Sequence, residues 1–149
     1  MKERSEDMKL LNEINALSRR VHLLRKHHMA SDLLTEAEVL ILDFLDQNAE
    51  RPPTMRQVAK AIGISFSNLS KIINSMEMQK GLVQRAIDPN DRRQILLTIS
   101  EVGKDILEKT RKEQRDRMKI IIPKLSGDER EIVAKGIAVF NRILDEVKS

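Results

Sequence analysis

Apolar residues recur along this chain at two different periods, and the change of period divides it. Leu10, Ile14, Leu17, Val21 and Leu24 are spaced four, three, four, three. That heptad-like stripe predicts one helix over the first thirty residues, with a seam against another helix. Leu11 and Leu23 add a second apolar edge, so this helix is expected to touch more than one neighbour. The same spacing returns at Val133, Ile137, Phe140, Leu144 and Val147, after Ser126-Gly127-Asp128-Glu129, whose serine-to-glutamate spacing is that of a capping box. Both terminal helices carry more apolar edge than one small domain can cover. They are expected to pack on each other and on a second copy of the chain.

The elements between them are shorter. Thr35-Glu36-Ala37-Glu38 is a second capping box and opens a helix with Val39, Leu42 and Leu45 on one side. It stops before Asn48-Ala49-Glu50-Arg51-Pro52-Pro53, where two prolines admit no helix interior. Thr54 opens the next helix, with Val58, Ala61 and Ile62 as its expected buried side. Gly63 follows where a tight helix-to-helix turn needs a residue free to take positive φ. Ser65 caps a third helix that runs to Gly81. Two short helices joined by a glycine turn make a helix-turn-helix.

After Gly81 the period falls to two. Leu82 to Ile87 and Gln94 to Ile99 read as strands, with Ile95, Leu97 and Ile99 alternating against Gln94, Leu96 and Thr98. The connector Asp88-Pro89-Asn90-Asp91-Arg92-Arg93 is turn chemistry, so the helix-turn-helix is followed by a hairpin wing. Ser100 then caps a long helix that is charged on nearly every side from Glu108 to Arg117, the mark of a strut held by i,i+4 pairs. Met118, Ile121 and Ile122 restore apolar character before Pro123 stops it. The fold class is therefore mainly α with a small antiparallel β wing. A winged helix-turn-helix spans 34–100, a dimerisation helix 1–33, and a linker with C-terminal dimerisation helices 101–149.

Composition narrows the function. The 149 residues suit one small domain with appended helices better than a multidomain enzyme. No unbroken apolar run exceeds four residues, as in Val39 to Leu42, against the roughly 20 a membrane span needs. Met1 to Asp7 is charged and has no signal-peptide core, so a soluble, cytoplasmic protein without a membrane partner is expected. The absence of cysteine excludes a disulfide scaffold, a thiolate zinc site and thiol redox sensing. Residues 54–93 hold seven cations and three anions, while the rest of the chain carries twenty of each sign. The whole excess of +4 sits in the helix-turn-helix and wing, which points to a polyanion such as nucleic acid.

Helix geometry selects the residues that would read it. Leu69, Ile72, Ile73 and Met76 form one apolar face of helix 65–80, and Ser67, Ser70, Lys71 and Asn74 lie opposite. Such a face alone is more often that of a solvated surface helix; within a helix-turn-helix followed by a basic wing it becomes a base-reading face. Asn74 suits adenine, Lys71 guanine or phosphate, and the serines either. Asn68, at the flank near the capping Ser65, suits phosphate. Arg92 and Arg93 at the wing tip, residues 87–94, suit a narrow minor groove, where negative potential is concentrated.

The stretch Lys80-Gly81-Leu82-Val83-Gln84-Arg85-Ala86-Ile87-Asp88-Pro89-Asn90-Asp91-Arg92-Arg93 resembles the KGLVxR and DPxDxR pattern of the MarR family of winged helix-turn-helix transcription factors. Leu34-Thr35, Val58-Ala59, Ser65 and Ser70 match as well, and the order of elements agrees over the whole chain. One departure is Ile99-Ser100-Glu101-Val102-Gly103 where the family has LTxxG; a buried aliphatic and a hydroxyl cap are both kept. The resemblance implies a homodimeric repressor on a pseudo-palindromic operator, released by a small-molecule effector. It further implies that Asp91 pairs with Arg93 and holds it for the minor groove, and that Arg20, His27 and His28 line an effector site.

His28 and Asp32 have the i,i+4 spacing of a half metal site, but no second ligand cluster accompanies them, so neither a metal nor another cofactor is expected. No HExxH, GxSxG, nucleotide loop or paired-carboxylate site is present, and no enzymatic activity is expected. Three phenylalanines are too few for a single-strand stacking platform. The competing function is a helical protein-interaction module whose basic segment is incidental.

Overall fold

The structure, a computed structural model, describes residues 2–26 and 34–148. They form two compact units, Met1–Arg111 and Lys112–Ser149. The first begins with helix α1, Lys2–Lys26. Helix α2, Glu36–Gln47, opens on the expected capping box: the Glu38 N–H donates to Thr35 Oγ1 (3.2 Å) and the Thr35 N–H to Glu38 Oε2 (3.1 Å). Helix α3, Met55–Ile62, starts on a reciprocal pair of the same kind between Thr54 and Gln57. Gly63 follows at φ 75°, the left-handed conformation that a residue without a Cβ takes most cheaply.

Helix α4, Phe66–Asn74, is capped by Ser65, and its last turn widens into a π-helical turn over Ser75–Gln79. The single helix expected from Ser65 to Gly81 is thus α-helical only in its first half. The Leu82 N–H closes the turn on the Met76 carbonyl (2.8 Å), which keeps Met76 in the core while the chain swings into strand β1, Val83–Ile87. Strand β2, Ile95–Ile99, returns antiparallel with Val83 opposite Ile99 and Ile87 opposite Ile95. One pairing had no signature in the sequence. On its far side β2 meets the segment before α3, through a Thr54–Leu96 bridge and a Leu97 N–H to Pro53 carbonyl bond of 2.9 Å.

Leu42, Leu45, Val58, Leu69, Ile73, Met76, Leu82 and Leu97 form the buried centre of this unit. Five expected core positions shift, Ile62 and Ile72 among them, each only half-buried. Val39 is only half-buried, because the inward stripe of α2 is Glu38, Ile41, Leu42 and Leu45. Ala61 is exposed and Ala59 buried, since the face of α3 is set by Met55 and repeats at Val58, Ala59 and Ile62. Ile95, at the loop end of the hairpin, is exposed, and only Leu97 and Ile99 of its alternation reach the core.

Helix α5, Glu101–Ile121, is one helix of 21 residues, docked at its start on the end of the helix-turn-helix. Ser100 Oγ accepts from the Gly103 N–H (3.0 Å) and donates to the Gly81 carbonyl (2.6 Å), while the Ser100 N–H donates to the Leu82 carbonyl (3.0 Å). A Cβ on Gly103 would overlap the Leu82 carbonyl oxygen, so this close approach requires glycine. Further along, Arg111 reaches α2: Nε and Nη2 donate to Asp43 Oδ1 (3.1 and 2.7 Å) and Nη1 to Asp46 Oδ2 (2.9 Å). The hydrogen bond to Asp46 holds the guanidinium pKa above its ordinary value, outweighing desolvation, with Asp43 adding to the effect.

The second unit contains the end of α5, a 3₁₀ turn over Ile122–Lys124 with Pro123 inside it, and helix α6, Gly127–Lys148. The Ser126–Glu129 capping box is present in both directions, at 2.8 and 3.2 Å. Every member of the α6 stripe, Val133, Ile137, Phe140, Leu144 and Val147, lies exposed in the single chain, as do Leu10 and Leu17 on α1. Among the described residues no helix is long and apolar enough to cross a membrane.

Candidate DNA-binding surface

Helix α4 divides cleanly between core and outside. Leu69, Ile73 and Met76 are fully buried, whereas Phe66, Ser67, Asn68, Lys71 and Asn74 are exposed and Ser70 is half-buried. Ser65 Oγ accepts from the Asn68 N–H (3.1 Å), so its oxygen already satisfies one free donor of the helix start. Asn74 Oδ1 accepts from Arg85 Nη2, and Arg85 Nε in turn lies 2.9 Å from Glu77 Oε2. This clamp ties the end of α4 to β1. It occupies one lone pair of Asn74 Oδ1 and leaves the amide NH2 and the second lone pair for an outside partner.

The charge of the basic segment also divides. Lys80, itself at the surface, places Nζ 2.9 Å from both oxygens of Glu38, a residue 5% exposed. Arg85 is taken by Glu77 and Asn74. Arg56, Lys60, Lys71, Arg92 and Arg93 are exposed and, among the described residues, have no ion-pair partner. Five outward cations are therefore concentrated on α3, α4 and the wing loop.

The wing loop is built by its aspartates. Asp88 Oδ1 accepts from the Asn90 N–H (2.8 Å), and the Asp88 N–H donates to the Gln94 carbonyl (3.0 Å). Asp91 Oδ1 accepts from the backbone N–H of Arg93 (3.1 Å), and Asp91 Oδ2 from Gln94 Nε2 (3.1 Å). The pairing of Asp91 with Arg93 is thus made through the main chain and not through the guanidinium. Its effect is to fix the loop while leaving both arginine side chains free at the surface.

A shallow depression brings together residues distant in sequence. Thr54, Met55 and Arg56 from the start of α3, Phe66 from the start of α4, and Arg93, Gln94 and Ile95 from the wing line it. Arg56, Lys60 and Phe66 are absent from the sequence-based set of contacts. The first two were legible as cations on the outer side of the first helix of the motif. Phe66 was legible only as an aromatic residue placed directly after a cap. Of the residues assigned to an effector, Arg20 lies exposed on α1, and His27 and His28 fall outside the described residues. Among the described residues no cluster of three or more His, Cys, Asp or Glu side chains is arranged to hold a metal ion.

Residues 34–94 match the family model described as the MarR family. The chain is 25% identical over 130 residues, 87% of its length and 89% of the relative's, to the HTH-type transcriptional regulator YxaD of Bacillus subtilis. Its fold is similar to that of MepR, a transcription regulator of the Staphylococcus aureus multidrug efflux pump MepA, with a TM-score of 0.74 at 17% identity over 88% of this chain and 95% of that one. It is also similar to the transcriptional repressor CouR bound to a 23-mer DNA duplex, with a TM-score of 0.70 at 25% identity over 87% and 89% of the two chains. The matched family and these relatives are regulators of transcription rather than enzymes. Residues 34–94, which carry the helix-turn-helix and the wing loop, are thus the part of the chain that matches the MarR family of transcriptional regulators.

Proposed function

We propose that the protein binds double-stranded DNA sequence-specifically as a homodimer and represses transcription from a pseudo-palindromic operator. The observation that carries this reading is the division of α4: Leu69 and Ile73 are fully buried and Ile72 half-buried, while the outer side offers Ser67, Lys71 and Asn74, with the exposed cations Arg56, Lys60, Arg92 and Arg93 on α3 and the wing loop. In the complex, α4 enters the major groove and Ser67, Ser70, Lys71 and Asn74 face base edges. Ser65 and Asn68 approach phosphate at the helix start, where free N–H groups favour an anion. The wing loop, ordered by Asp88 and Asp91, carries Arg92 and Arg93 to the adjacent minor groove.

Dimerisation is supported by the apolar stripe of α6 and by Leu10 and Leu17 of the α1 stripe, which stand exposed in one chain and have the spacing of helix–helix seams. Repression follows the similarity to CouR. Arg20, with His27 and His28, is assigned to an effector that releases the DNA. Arg93→Ala separates this reading from that of a protein-interaction module. Weaker duplex binding and a salt slope lower by about one unit are expected. Unchanged affinity and slope would remove the wing from the DNA and favour the interaction module.

A further inference from the structure

We propose that Phe66 reads the C5-methyl group of a thymine in each half-site; this rests on the DNA-binding reading above and names one base feature that it recognises. Phe66 is the first residue of α4, directly after the Ser65 cap, and is 51% exposed. The amino-terminal residues of a recognition helix are those that reach base edges. Among the exposed positions of α4, namely Phe66, Ser67, Asn68, Lys71 and Asn74, Phe66 is the sole apolar side chain.

Its surroundings give it a specific complement. Phe66 lines the depression together with Met55, Ile95, Arg56 and Arg93, and the two arginines are exposed cations without an ion-pair partner among the described residues. An apolar spot in a cationic frame fits an apolar group set between phosphate strands. The major groove offers one such group, the thymine methyl, since its other distinguishing features are hydrogen-bond donors and acceptors. Burial of the ring against the rest of the chain is incomplete. The exposed part is therefore available for the contact, and covering it removes apolar area from water in both partners. Ser67 beside it supplies the polar contact to the neighbouring base edge, so Phe66 and Ser67 divide the apolar and polar readout of consecutive pairs.

The test uses the full chain and a duplex selected by it from a random pool, with each thymine replaced singly by uracil, which lacks only the methyl group. Binding is followed by fluorescence anisotropy. Wild-type protein is expected to lose about fourfold in affinity at one thymine of each half-site, the worth of one methyl group kept out of water. Phe66→Ala is expected to bind the thymine and uracil forms of that position equally, whereas Ser67→Ala keeps the wild-type ratio. Phe66→Leu, which retains an apolar side chain at the helix start, is expected to keep part of the ratio and guards against misfolding of the alanine variant. Specific binding in which no thymine responds to uracil overturns the Phe66 assignment alone, and so does an unchanged ratio in Phe66→Ala. A wild-type chain that selects no duplex overturns the DNA-reading proposal and this one with it.

Discussion

Glu38 occupies an inward position of α2 that the periodicity of its neighbours would give to an aliphatic residue, and two partners hold its carboxylate there. The Thr35 N–H donates to one oxygen and Lys80 Nζ lies 2.9 Å from both. Lys80→Met leaves a buried carboxylate short of donors, and a loss of about 1–3 kcal/mol in denaturant unfolding is expected. The Glu38→Gln, Lys80→Met double variant should lose less than the sum of the two single variants. A purely additive result would mean that the pair does not act as a unit. At the DNA face, Ser67→Ala and Lys71→Ala are expected to relax base preference at particular positions of a selected duplex; a uniform loss over all sequences would make them phosphate contacts. The outer face of α4 was legible because 100° per residue is enough to sort Leu69 and Ile73 from Ser67 and Lys71. The pairing of Lys80 with Glu38 and that of Asn74 with Arg85 were not, since both depend on partners distant in sequence.

Element boundaries follow the caps. Thr35, Thr54, Ser65, Ser100 and Ser126 all start helices with the expected hydrogen bonds, because a cap and its partner lie within three residues of each other. Two features escaped the same reading. The π turn over Ser75–Gln79 keeps Met76 inward, so the apolar pattern through it still reads as α-helix. The Pro53–Leu97 pairing is a single bond flanking two prolines, too short to leave a period. The docking of α5 on Gly81 and Leu82 yields a sharp expectation. In Gly103→Ala the added methyl meets main chain at Leu82, not a flexible side-chain end, so about 1–3 kcal/mol of stability should be lost. A wild-type denaturation midpoint would show that α5 can shift without cost.

For the whole molecule, net charge and apolar stripes say different things. The excess of +4 falls entirely within residues 54–93, and five of those seven cations are exposed without an ion-pair partner among the described residues. The stripes lie elsewhere, on α1 and α6; that of α6 and Leu10 and Leu17 of α1 stand exposed in the single chain. Ile137 and Leu144, 56% and 53% exposed on α6, are the positions whose paired substitution by lysine should give a monomer in light scattering. The circular dichroism of the helix-turn-helix should survive that change. A persistent dimer would move the interface away from α6. The stripes themselves were legible from spacing; the partner that covers them was not, since a 3.5-residue period is the same whether the facing helix belongs to this chain or to its copy.

The most direct measurement is selection of duplexes from a random DNA pool, with the bound species sized by light scattering. Enrichment of a two-fold symmetric site is expected, with half-sites about one helical turn (roughly 34 Å) apart and one dimer on each duplex. Binding without enrichment, or an asymmetric site carrying a single chain, would contradict the account at its centre.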